Sequence, residues 1–214
     1  MKYIMKNTEP VELIEYKKTP GVCFGNMHKE VKDAVKIALI EEQGYLCCYC
    51  GKRIEITDHL KIEHILPQGK FDYAQLLYSN MLLSCDGGEK AREGGNRQFP
   101  VHCDSKKKEN ILAFSPTNSC CDNCFIYSED GSIDAFPGKN LGVKEIIDTL
   151  GLDNPVLRSL RKAAIDAYNC LELTSEEWES ELQQLNTKNS DGKYSSFCNV
   201  VEYYVKNYKM RAEF

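Results

Sequence analysis

The chain has 214 residues, with 27 basic and 32 acidic side chains, 42% hydrophobic residues and 11 cysteines. That length suits one domain with attachments or two small domains and excludes a large multi-domain machine. The ordinary hydrophobic and charged fractions exclude wholesale disorder and fibrous repeats, and the net charge of −5 argues against strong nucleic-acid binding by this chain unaided.

Residues 1–46 read as an N-terminal arm and helix. Pro10, Pro20, Gly21 and Gly25 predict an extended arm with short turns, and the apolar spacing from Glu30 to Glu42 predicts a helix that stops at Gly44. Residues 47–115 open with the turn Cys47-Cys48-Tyr49-Cys50-Gly51. Two short alternating runs follow, Lys52–Ile56 and Leu60–His64, and predict a β-hairpin. Asp86–Gln98 predicts a surface loop, and Ser105–Leu112 a short helix. Residues 116–214 read as mainly helical. Asn154-Pro155 marks one helix start, Thr174-Ser175-Glu176-Glu177 a capping box, and Phe197–Tyr208 a final amphipathic stripe. The acidity is uneven: residues 1–46 are balanced, 47–110 carry +1 and 111–214 carry −6. Any nucleic acid would therefore have to be gripped locally or by a partner.

No stretch approaches the roughly 20 apolar residues of a membrane helix. The segment Met1-Lys2-Tyr3-Ile4-Met5-Lys6 lacks the apolar core of a secretion signal. A soluble cytoplasmic protein without a membrane partner is expected. In a reducing compartment clustered cysteines hold metal more often than disulfides. Cys47-x-x-Cys50 presents two thiolates from one turn, and Cys85 and Cys103 would complete a four-sulfur structural zinc site. Cys48 could replace Cys47, although a two-residue gap closes more easily around zinc. Cys121-x-x-Cys124 has knuckle spacing but no clear second pair. Cys23, Cys170 and Cys198 read as small buried residues, and His28 and His59 as surface residues.

Between the two cysteine pairs lies Ile62-Glu63-His64-Ile65-Leu66-Pro67, followed by Asn80 before an apolar run and by His102-Cys103-Asp104-Ser105-Lys106. This arrangement resembles the HNH nuclease family, the ββα-metal fold, and within it the PtuB group of Septu and retron anti-phage systems. Supporting segments are Glu41–Cys50, Ile62–Pro67, Val101–Lys106 and Phe125-Ile126-Tyr127 with Asp130–Ile133, and the resemblance covers roughly residues 1–170.

The resemblance implies an α+β fold, with a zinc-stabilised HNH core carrying mostly helical extensions. It implies a bacterial endonuclease that hydrolyses nucleic-acid phosphodiester bonds, more often DNA, with RNA or tRNA as the alternative. His64 would be the general base, and Glu63 a ligand of a catalytic Mg2+ or Mn2+. Asn80 would brace the loop that carries His64. The third position departs from the family pattern. Asp104 stands where His is usual, so Asp104 is expected as the second ligand, with His102 as the alternative. The implied partners are a PtuA-like ATPase of the ABC/SMC type and, in retron systems, a reverse transcriptase with its nucleic acid. The departure and the acidic charge also permit a zinc-stabilised binding module with decayed nuclease residues. Adjacent strand residues face opposite sides, so Glu63 and His64 converge only if the strand ends or bulges there. Lys106 and Lys107 could approach phosphate, although a lysine run more often forms a solvated helix face.

Overall fold

The arm folds further than its prolines and glycines predict. In the computed structural model, which describes residues 1–138 and 142–210, Pro10 leads into helix α1 (Val11–Tyr16), which buries Leu13 and Tyr16. Helix α2 (Lys29–Glu42) follows and buries Val35, Leu39 and Ile40 against α1 and the sheet beyond.

The expected hairpin between 52–56 and 60–64 does not form. Arg53 instead bridges back to Leu46, and Cys47 N–H donates to the Lys52 carbonyl at 2.8 Å, closing the cysteine turn on itself. Strand β1 (Lys61–His64) pairs antiparallel with β2 (Met81–Ser84), in a register that sets Glu63 opposite Leu82 and His64 opposite Met81. Every residue of β2 is buried. A short, continuous apolar run has no alternation to announce it as a strand, whereas the 52–56 run alternates and is taken by the cysteine turn. The outer edge of β2 is satisfied locally. The Gln43 amide accepts from Leu83 N–H at 2.6 Å and donates to the Leu83 carbonyl at 2.9 Å, and Cys48 N–H donates to that same carbonyl.

The loop expected at 86–98 contains helix α3 (Glu89–Glu93), and α4 (Asp104–Lys107) starts directly after Cys103. A second small antiparallel sheet joins β3 (Phe125–Tyr127) to β4 (Ile133–Ala135). The remainder is helical: α5 (Val143–Leu150), α6 (Pro155–Asn169), α7 (Ser175–Leu185) and α8 (Cys198–Tyr204), which continues into a π-turn over Val205–Lys209. The start signals are as expected. The Asn154 side chain accepts from Val156 and Leu157 N–H, and Thr174 and Glu177 form the reciprocal capping box. The architecture is α+β. Met1, Leu39, Leu82, Cys103, Phe125, Leu157 and Tyr204, drawn from all three sequence segments, share one apolar core. No helix among the described residues is long and apolar enough to cross a membrane.

Arg161 of α6 is buried and ties the second sheet to the helices. Its Nε donates to the Gly131 carbonyl at 2.6 Å and its guanidinium to the Leu152 carbonyl at 2.9 Å. Gly131 has φ +80°, and a Cβ there would lie 2.1 Å from the Arg158 carbonyl oxygen. Both the left-handed backbone and the clash oppose a side chain, so Gly131→Ala should cost about 2 kcal/mol or more. A thermal melt checks this; an unchanged midpoint would contradict it.

Candidate active site and metal sites

Four sulfurs converge from three places in the chain. Cys47 and Cys50 come from the closed turn, Cys85 from the end of β2 and Cys103 from the residue that caps α4. Their Sγ atoms all lie within 4.8 Å of one another, and all four residues are buried. Cys47 and Cys103 are 3.8 Å apart, and Cys50 and Cys85 4.0 Å apart. A tetrahedral zinc with Zn–S bonds near 2.3 Å needs sulfurs about 3.8 Å apart, so the spacing fits that ion. No disulfide forms among the eleven cysteines. Cys48 is buried but lies outside the cluster, which leaves Cys47 as the partner of Cys50. Cys103 adopts φ +54°, a turn that lets its sulfur face inward while the chain starts a helix. Cys198 is buried as expected, but Cys170 is exposed and Cys23 half-buried, so composition misjudged two of the three lone thiols.

His102 lies with the sulfurs. Its Nδ1 sits 3.1 Å from Cys103 Sγ and 3.8 Å from Cys85 Sγ.

Asp104, on the first turn of α4, lies beside Glu63, near the end of β1. Glu63 is 2% exposed, and Lys107, three residues beyond Asp104, is 1% exposed. Lys107 Nζ reaches Glu63 Oε1 at 2.6 Å and the His64 carbonyl at 2.9 Å. The Tyr49 hydroxyl donates to the same Oε1 at 2.8 Å. Burial and the adjacent Asp104 carboxyl push Glu63 up to about 8, against the opposing pull of Lys107. Two carboxyls held this close favour a shared proton or a shared cation. Oxygen donors of this kind suit Mg2+ or Mn2+ better than zinc.

Strand β1 ends at His64, and the chain bends immediately after it. The imidazole is therefore turned toward the loop 65–77, while Glu63 faces α4. His64 Nε2 lies 2.9 Å from the Gln75 carbonyl, and Gln68 Nε2 lies 2.9 Å from His64 Nδ1. A carbonyl only accepts, so the proton is assigned to Nε2, and Nδ1 offers the lone pair. Phe24 from the arm packs edge-on against the ring at 4.6 Å between centroids. Burial, with Lys107 as a smaller contributor, holds the His64 pKa below its ordinary 6.5; the Gln75 carbonyl and Asp104 oppose this.

Asn80 fixes the loop that sets this geometry. Its Oδ1 accepts from Leu66 N–H at 2.8 Å, and its Nδ2 donates to the Leu66 and Ala74 carbonyls at 3.1 and 3.0 Å. Ala74 immediately precedes Gln75, so the amide restrains the carbonyl that orients His64.

No family model matches the chain. A retron Vc95 protein of Vibrio cholerae serotype O1 biovar El Tor, named as an HNH endonuclease, is 34% identical over 173 residues, spanning 75% of this chain and 80% of the relative. The chain belongs to the HNH endonuclease family.

In this HNH endonuclease several site neighbours carry no sequence signal. Lys107 sits inside the run Lys106-Lys107-Lys108, which reads as a solvated face. Its burial follows from position: its N–H bonds back to the Cys103 carbonyl at 2.9 Å, and the turn of α4 aims the side chain inward. Lys106 points elsewhere and donates to the Asp148 carbonyl on α5 at 2.7 Å. Gln68 and Gln75 reach His64 only because the 65–77 loop folds back, and Phe24 arrives from 40 residues upstream. Tyr49 lies within the cysteine turn, but only the fold shows that its hydroxyl leaves the turn toward Glu63.

Proposed function

We propose that this endonuclease hydrolyses nucleic-acid phosphodiester bonds with His64 as general base, using a divalent cation held by Glu63 and Asp104. The observation that carries the reading is the His64 imidazole. Its Nε2 is committed to the Gln75 carbonyl, its Nδ1 lone pair is held by the Gln68 amide alone, and Asp104 lies within electrostatic reach of the ring. Nδ1 takes the proton of the attacking water, and Gln68 is the group that this water replaces. The Gln75 carbonyl then stabilises the imidazolium formed on proton transfer, because it already accepts from Nε2. Mg2+ or Mn2+, when bound, supplies charge compensation to the phosphate and the leaving oxygen. Asn80 keeps the base in register, and Asp104 rather than His102 is the second ligand, since His102 is beside the sulfurs. Zn2+ in the four-sulfur site is structural and holds the ββα-metal core together.

The biological reading is anti-phage defence in a PtuB-like role. The retron name of the relative supports it. The −6 charge of residues 111–214 suits docking onto a PtuA-like ATPase, which would supply nucleotide sensing and nucleic-acid grip. DNA, with RNA or tRNA as the alternative, would be the substrate.

The test is cleavage of labelled DNA and RNA by the zinc-loaded protein, alone and with its ATPase, at increasing magnesium. Cleavage should be absent without added divalent ion and saturate with it; magnesium-independent cleavage would contradict the proposal. A pH profile adds a second expectation. Only the neutral imidazole accepts a proton, and burial lowers the His64 pKa, so kcat/KM at saturating magnesium should decline on the acid side only below about 6.5. An acid limb centred above 7 would point to another base.

A further inference from the structure

The hydrogen bonds around Glu63 are lopsided. Tyr49 Oη, at 2.8 Å, and Lys107 Nζ, at 2.6 Å, both converge on Oε1. One carboxylate oxygen thus carries a hydroxyl and an ammonium, while the Asp104 carboxyl lies alongside the same group. Lys107 is also tied to the His64 carbonyl, so the clamp is anchored to the strand end that bears the base. With Tyr49 and Lys107 each 1% and Glu63 2% exposed, water can hardly substitute for either donor.

We propose that Tyr49 and Lys107 are positioning residues that reserve Oε1 of Glu63 for the protein, so that Glu63 offers a divalent cation a single oxygen and the site favours Mg2+ over Ca2+. The inference rests on the reading of Glu63 and Asp104 as cation ligands and adds how one of them is held. The physical basis is coordination preference. Ca2+ takes six to eight oxygens and readily accepts a carboxylate through both of them. Mg2+ demands a small octahedral shell and keeps several waters. A carboxylate with one oxygen already occupied by two donors suits the second ion. Outer partners of this type are worth about 10- to 100-fold in metal affinity.

The experiment measures binding of Mg2+, Mn2+ and Ca2+ by calorimetry to the zinc-loaded protein in a His64→Ala background, so that no turnover intervenes. Tyr49→Phe and Lys107→Met are compared with the parent. Tyr49→Phe removes only the hydroxyl and keeps the ring, which guards against a folding failure of the lysine variant. Each variant should bind Mg2+ about 10-fold or more weaker and shift the Mg2+/Ca2+ affinity ratio toward Ca2+, with zinc content unchanged. Parental Mg2+ affinity and an unchanged ratio in Tyr49→Phe and in any folded Lys107→Met would overturn the proposal. Absence of divalent binding in the His64→Ala parent itself would instead overturn the cation site beneath it.

Discussion

Cys103→Ala should yield a protein that neither retains zinc nor unfolds cooperatively. The four sulfurs join the Cys47–Cys50 turn, the end of β2 and the cap of α4, three pieces separated by up to 56 residues. Little regular structure connects them: β1 and β2 have four residues each, as does α4. In zinc-finger peptides the apparent zinc binding energy reaches about 10–16 kcal/mol, as large as the whole stability of a typical domain at about 5–15 kcal/mol. Losing one sulfur removes much of that energy and leaves three buried thiols facing one another. Cys48→Ala is the internal comparison, because Cys48 is equally buried but outside the cluster. Zinc content per chain and a melt monitored by circular dichroism decide the matter. Cys48→Ala should keep its zinc and melt cooperatively. A zinc-free Cys103→Ala protein with the parental melting curve would show that the knot is dispensable.

The second large effect is on the chemistry. His64→Ala should lower cleavage by about 10²- to 10⁴-fold, the usual contribution of a general base. Zinc content should not change, because the imidazole meets Gln68, Gln75 and Phe24 and none of these contacts involves a sulfur. Truncation also removes the surface on which Phe24 packs, so His64→Asn is the better match in volume and should lose activity to a similar extent. Full activity in either variant would remove His64 from the reaction.

How far these positions could be read from sequence depends on what carried each signal. The four sulfurs were legible because Cys-x-x-Cys spacing is set by the geometry of one turn. Glu63-His64, Asn80 and Asp104 stand out in the sequence as a pattern around those cysteines, and the structure sets Asp104 beside Glu63 and bonds Asn80 to the loop after His64. The helix starts at Asn154 and Thr174 were legible because capping is local chemistry, and the structure shows each cap bonded. The strand partner of β1 was not legible. Met81–Ser84 is buried on all sides and has no alternation, while Lys52–Ile56 alternates and is held instead by Leu46 and Tyr45. Lys107 was hidden for a similar reason. A charge in a lysine run says nothing about the helix face it occupies, and the inward turn of Lys107 shows only in its contacts with Cys103, Glu63 and His64.

Anomalous scattering from crystals of the zinc-loaded protein soaked in MnCl2 tests the central claim most directly, with data collected at the zinc and manganese edges. Zinc should sit among Cys47, Cys50, Cys85 and Cys103, and manganese between Glu63 and Asp104, beside the first turn of α4. Manganese bound through His102, or a Glu63–Asp104 pair that stays empty at saturating manganese while cleavage proceeds, would contradict the account.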